Sequence, residues 1–183
     1  LVPEDPIMSY RILPFVLLLT PAVALAQQPP KILVATGKEM LVELLNPGTL
    51  LCVGGQPTGR PAQCSPGTRR IFIWNWVSVQ GYQDIVGTAA AMFRGRNTIV
   101  MHCNLDENYY GHCWGTFEWA APEMGGRWEG VWSGPWDMAA NCTSYRATGY
   151  GSGGQLEGLQ VEKESAWPGG TQSGTFVVKV LAK

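Results

Sequence analysis

Arg127-Trp-Glu-Gly-Val-Trp-Ser-Gly134 decides how this chain folds. Successive side chains of an extended chain point to opposite faces, so Trp128, Gly130, Trp132 and Gly134 share one face while Arg127, Glu129, Val131 and Ser133 share the other. A period of two bounded by glycine-containing turns marks a β-strand. Tryptophan alternating with glycine further predicts large rings lying over the bare backbone of a neighbouring strand.

The same pattern recurs along the chain. Strands are expected near residues 70–79, 87–93, 97–105, 112–120, 127–136, 142–150, 155–165 and 174–181, with two more near 39–45 and 49–53. Lys38-Glu-Met-Leu-Val-Glu-Leu-Leu45 can also be read as an amphipathic helical turn or two, closed by the turn signal Asn46-Pro47-Gly48. Short strands at regular spacing indicate an all-β protein. Closure removes exposed edges, so the expected architecture is a single antiparallel, mostly up-and-down β-barrel of about eight to ten short strands. A tryptophan face turned inward would fill the barrel. Turned outward, it would leave a polar interior able to hold a ligand. The filled or narrowly hollow version is the expectation, since small barrels are usually packed with side chains.

Residues 8–26 read as a secretory signal peptide. Arg11 supplies the positive start, Ile12 to Leu19 an uncharged apolar run, and Ala24-Leu25-Ala26 a small-x-small cleavage site. Pro14 and Pro21 interrupt the run, which falls short of the ~20 apolar residues a spanning helix needs. Residues 1–7 precede the expected initiator Met8 and are set aside. The expected mature domain is therefore 27–183, secreted or periplasmic, with no stable membrane insertion after cleavage. It keeps 12 basic and 12 acidic residues. A nucleic-acid partner would need a basic excess, which is lacking.

All five cysteines lie in this mature part. Cys103 and Cys113 would stand opposite each other in a hairpin centred on Asn108, at a separation suited to a cross-strand disulfide. Cys52 and Cys64 flank a loop rich in glycine and proline that a bridge would staple. Cys142 is then the odd thiol, read as a small buried core residue rather than a reactive nucleophile.

Chemistry is much less legible. His102 and His112 are the weak metal candidates, diagonal neighbours short of a full ligand set, so no metal and no cofactor is expected. Glu118 and Glu129 are the catalytic candidates, because a strand carboxylate facing into a barrel would be desolvated and able to act as acid or base. The competing reading puts both on a solvated outer face, paired with arginines. Trp119, Trp128 and Trp132 are the ligand-binding candidates. Asn141-Cys-Thr143 fits the short N-glycosylation pattern. Gly149-Tyr-Gly-Ser-Gly-Gly154 lacks the lysine and helix of a phosphate loop and reads as a hairpin turn.

Tyr145-Arg-Ala-Thr-Gly-Tyr-Gly-Ser-Gly-Gly-Gln-Leu-Glu-Gly-Leu-Gln160, followed by a strand and Gly174-Thr-Phe-Val-Val-Lys-Val180, resembles the closing strands of the allene oxide cyclase and dirigent-like barrels. Gly149, Gly151, Ser152, Gly153, Leu156, Glu157 and Gly158 fill that glycine-rich pattern. Gly126 to Gly134 is similar to strands of calycin-like barrels in secreted bacterial proteins. The resemblance implies a barrel. Cyclases of this kind rearrange a fatty-acid epoxide in an apolar cavity, and dirigent proteins steer radical coupling. Their polar cavity residues have no counterparts here outside the glycine-rich segment, so none is carried over, and both cysteine pairs depart from the plant proteins. Fold alone does not name a function.

The leading expectation is a disulfide-stapled barrel that binds a small apolar ligand or a partner surface without catalysis. An isomerase or cyclase using the barrel cavity is the alternative. It requires an acid inside the barrel. An envelope or extracellular structural protein, assembled into oligomers, is the third reading.

Overall fold

A computed structural model describes residues 31–58, 63–171 and 173–182. The expected leader and the upstream residues lie outside the described residues. Eight strands close into an antiparallel barrel: β1 (Lys31–Val53), β4 (Arg70–Gly87), β5 (Asn97–Leu105), β6 (Tyr110–Ala121), β7 (Gly126–Asp137), β8 (Cys142–Ser152), β9 (Gln160–Trp167) and β10 (Ser173–Ala182). The spatial order is β1-β10-β9-β8-β7-β6-β5-β4, so neighbours in sequence are neighbours in space except where β10 returns to β1. Two residue pairs, β2 (Pro57–Thr58) and β3 (Gln63–Cys64), form a small separate ribbon. The all-β, up-and-down architecture expected from the alternation is what the structure shows.

Three segments differ from expectation, one of them residues 149–165, where β8 runs on to Ser152, Gly154–Leu156 forms a 3₁₀ turn and the next strand starts only at Gln160. Residues 38–53 are neither a helical turn nor two strands, but part of the long β1. Pro47 lies opposite Trp76 of β4, and from Leu41 onward β1 pairs with β4 alone because its pairing with β10 ends at Met40. Proline is tolerated there because one edge of the strand has no ladder to lose. Register shifts lie nearby, between Leu41 and Glu43 and between Leu44 and Asn46. The third difference is residues 87–93. β4 runs through to Gly87, and Ala90–Phe93 forms a 3₁₀ turn that caps one end of the barrel.

The tryptophan face of β7 points inward. Trp128 and Trp132 are buried while Arg127, Glu129, Val131 and Ser133 are exposed. Of the rings expected over bare backbone, Trp132 covers Gly115 of β6, its indole nitrogen 3.2 Å from where a β-carbon would stand, and Phe117 covers two further glycines. The Phe117 ring lies where a β-carbon on Gly130 would come within 2.7 Å of it and one on Gly149 within 2.9 Å. Either glycine changed to alanine would force the ring away and also displace backbone, since the Thr148 carbonyl stands closer still to Gly130 and the Glu129 carbonyl to Gly149.

The inward tryptophans do not fill the barrel throughout. At the capped end Phe93 stacks on Trp128 at 5.4 Å and tilts against Trp119 at 4.7 Å, while the Trp128 indole donates to Met92 O at 3.0 Å. That half is solid, with a void of only about 10 Å³. The other half is hollow, because β1 there has lost its partner on one side and the wall is open.

Disulfides join Cys103 to Cys113 across β5 and β6, and Cys52 of β1 to Cys64 of β3. Cys142 is the free cysteine among the described residues. It is exposed rather than buried, because it opens β8 opposite Asp137 at the barrel rim instead of on the inward face. Replacing Cys103 and Cys113 together by alanine is expected to lower unfolding free energy by about 2–4 kcal/mol, read from urea denaturation, since the bridge restricts the unfolded chain.

Candidate functional site

The interior holds a polar cluster that alternation places but residue type conceals. On β9 the inward residues are Val161, Lys163, Ser165 and Trp167, all buried. Tyr145 joins them from β8, Tyr82 from β4 and Glu39 from β1, whose side chain is 0% exposed. The Glu39 carboxylate accepts from the Tyr145 hydroxyl at 2.9 and 3.0 Å and also from Lys163 Nζ, Ser165 Oγ and the Trp167 indole N–H. A carboxylate offers roughly four lone-pair sites, so this one is fully used. β1 is separated from β9 by β10, and Glu39 therefore ties the barrel together through its middle.

Lys163 is saturated in turn. Its ammonium donates to Glu39, to Tyr145 Oη at 2.8 Å and to Tyr82 Oη at 3.2 Å. The rings of Tyr82, Trp119, Tyr145 and Phe176 surround it, with centroids 5.0–5.5 Å from the nitrogen, which adds cation–π attraction. Burial pushes the lysine below its ordinary value, with the Glu39 charge offsetting part of that effect. Burial holds the Tyr82 and Tyr145 phenols well above theirs, and the same negative charge raises them further.

Tyr145 and Trp167 link this cluster to the hollow half. There a cavity of about 1230 Å³ extends to the mouth beside the stretch of β1 that pairs with β4 alone. Leu41, Leu44 and Met138 stand at the mouth, with Trp132, Trp136 and Met101 farther in. None of the residues lining it is ionisable except Tyr145. Asn141 also stands at this rim, exposed, its amide donating to Thr171 O at 2.7 Å.

The expected site residues are distributed differently. Trp132 lines the cavity, whereas Trp119 and Trp128 belong to the solid half. Glu118 and Glu129 are directly opposed on β6 and β7 but exposed on the outer surface, both near Arg127. They cannot be the acids inside the barrel, because the alternation that buries Trp128 and Trp132 turns position 129 outward. Among the described residues the interior acid is Glu39. Its sequence context hides it, because the stretch around it also fits a helical turn. Lys163 left a clearer signal, since it alternates in phase with Val161 and Trp167 while Glu162 and Glu164 take the other face. His102 and His112 lie diagonally on the outer face among Trp74 and Trp114, and the His102 Nδ1 accepts the Asn75 N–H at 3.2 Å. Among the described residues no cluster of three or more His, Cys, Asp or Glu could hold a metal.

No family model, curated protein or solved structure matches this chain. Among the described residues no helix is long and apolar enough to cross a membrane.

Proposed function

We propose that this barrel binds a small, largely apolar molecule in its hollow half and performs no reaction on it. The observation that carries this reading is the cavity itself. Its volume reaches or exceeds the roughly 300–1,000 Å³ usual for small-molecule sites, and its lining is predominantly hydrophobic and aromatic with a few polar groups. The two disulfides fit an oxidising setting, as in a secreted or periplasmic protein.

A cyclase or isomerase of the allene oxide cyclase type is the second reading. It draws support from the interior acid and from the Tyr145 phenol at the cavity wall. The hydrogen bonding favours binding over catalysis. Glu39 is inaccessible and already takes four donors, and the Tyr145 proton is committed to Glu39, so neither is free to exchange a proton with a substrate.

The test is a titration with the neutral apolar dye N-phenyl-1-naphthylamine, followed by energy transfer from the cavity tryptophans. Saturable binding with a micromolar dissociation constant is expected. Ile99→Trp, which narrows the cavity, is expected to weaken it at least tenfold, while Val131→Trp on the outer face leaves it unchanged. Binding that ignores both substitutions, or no binding at all, refutes the reading.

A further inference from the structure

Gln80 and Asn97 are both left half used by the network, but the free Asn97 Oδ1 is sealed from solvent whereas Gln80 faces the cavity. Gln80 is 8% exposed, lies on β4 opposite Asn97 of β5, and lines the cavity. Its Oε1 accepts from the Tyr82 hydroxyl at 3.2 Å and from Asn97 Nδ2 at 3.4 Å. With the oxygen held by these two donors, the Nε2 group must point the other way. Nε2 has no protein partner among the described residues, and it is not among the side-chain atoms sealed from solvent. It is a donor presented to the cavity.

The donor is also primed. Lys163 Nζ donates to Tyr82 Oη, and Tyr82 Oη donates to Gln80 Oε1. Consecutive hydrogen bonds polarise one another, so a lysine charge feeding an amide oxygen strengthens the N–H groups at the amide's far end. The cavity meanwhile provides nothing to neutralise an ion. Its lining contains no Asp, Glu, Lys, Arg or His, and the Glu39 and Lys163 charges cancel each other behind it. A charged ligand would have to shed its water without a partner.

We propose that the occupant is an uncharged, mostly apolar molecule bearing a carbonyl oxygen, and that Gln80 Nε2 holds that oxygen at the cavity's inner wall. This rests on the cavity-binding reading and adds the chemistry of the ligand to it.

The test compares three probes of similar shape: 2-acetylnaphthalene, 2-ethylnaphthalene and 2-naphthoate. Wild-type protein is expected to bind the ketone and the hydrocarbon and to bind the anion at least tenfold more weakly than the ketone. Gln80→Met is expected to weaken the ketone at least fivefold while the hydrocarbon binds as well or better, which also shows that the cavity survives. The carbonyl infrared stretch of the bound ketone should lie below its position in hexane for the wild type and return toward that position in the variant. A ketone whose affinity and stretch are the same in both proteins overturns the proposal, as does tight binding of 2-naphthoate. Should Gln80→Met lose the fold, the wild-type stretch decides alone: a hexane-like value rejects the hydrogen bond. If neither neutral probe binds the wild type, it is the cavity-binding reading that has failed.

Discussion

Glu39→Ala is expected to destabilise the protein by about 3–5 kcal/mol, the range for removing one member of a buried ion pair. The substitution deletes an acceptor that serves Tyr145, Lys163, Ser165 and Trp167 at once. The larger part of the loss comes from Lys163, whose ammonium stays enclosed by four aromatic rings with no countercharge. Those rings soften the penalty without removing it, since cation–π attraction is worth about 2 kcal/mol when desolvated. Glu39→Leu combined with Lys163→Met should recover most of the loss, because a buried pair replaced by apolar groups of similar volume is often neutral or stabilising. Urea denaturation of the wild type, Glu39→Leu, Lys163→Met and the double variant gives the coupling directly. A double variant as unstable as the sum of the singles would show that the two residues act independently, and the role assigned here to their contact would be wrong.

The pair also shows what local sequence can and cannot reveal. Period two fixes faces, so the inward set of β7 and the positions opposed across the β5–β6 hairpin were readable, including the Cys103–Cys113 bridge. Period two also placed Lys163 inward, but a lysine is ordinarily read as solvated, and only its company of Val161 and Trp167 argues otherwise. Glu39 was harder, because its surroundings fit two periodicities, and the register shifts along β1 blur the alternation that would have chosen between them. The cavity was not legible at all. It exists because β10 begins at Ser173 and leaves β1 with no partner on that side beyond Met40, and where one strand stops relative to another is a long-range property that no window of sequence contains. Inward tryptophans were therefore compatible with a hollow barrel, since solid packing and open space divide the interior lengthwise.

Alkaline pH is expected to unfold this protein steeply. Tyr82 and Tyr145 keep their protons in the folded state well beyond the ordinary phenol value near 10, first because they are buried and then because Glu39 is negative. In the unfolded chain both ionise at about pH 10. Above that pH the unfolded state therefore binds fewer protons than the folded state, and stability falls as pH rises. With two such groups the limiting slope is about 2.7 kcal/mol per pH unit. Lys163 acts in the opposite sense. Its value is lowered by burial, so between that value and the ordinary 10.5 the unfolded state holds the extra proton and stability gains with pH. That gain ends where the unfolded lysine has titrated, so the tyrosines dominate above about pH 10.5. Urea midpoints between about pH 9 and 11.5 would trace both limbs. They are best measured in a Cys142→Ser background, because the exposed thiol could otherwise exchange with the disulfides. Tyr82→Phe and Tyr145→Phe should each remove about half of the falling slope. Midpoints that stay level through pH 11, or a slope indifferent to both substitutions, would mean that these phenols are not held protonated by the barrel interior. The hydrogen-bond chain from Lys163 through Tyr82 to Gln80 would then lose its link.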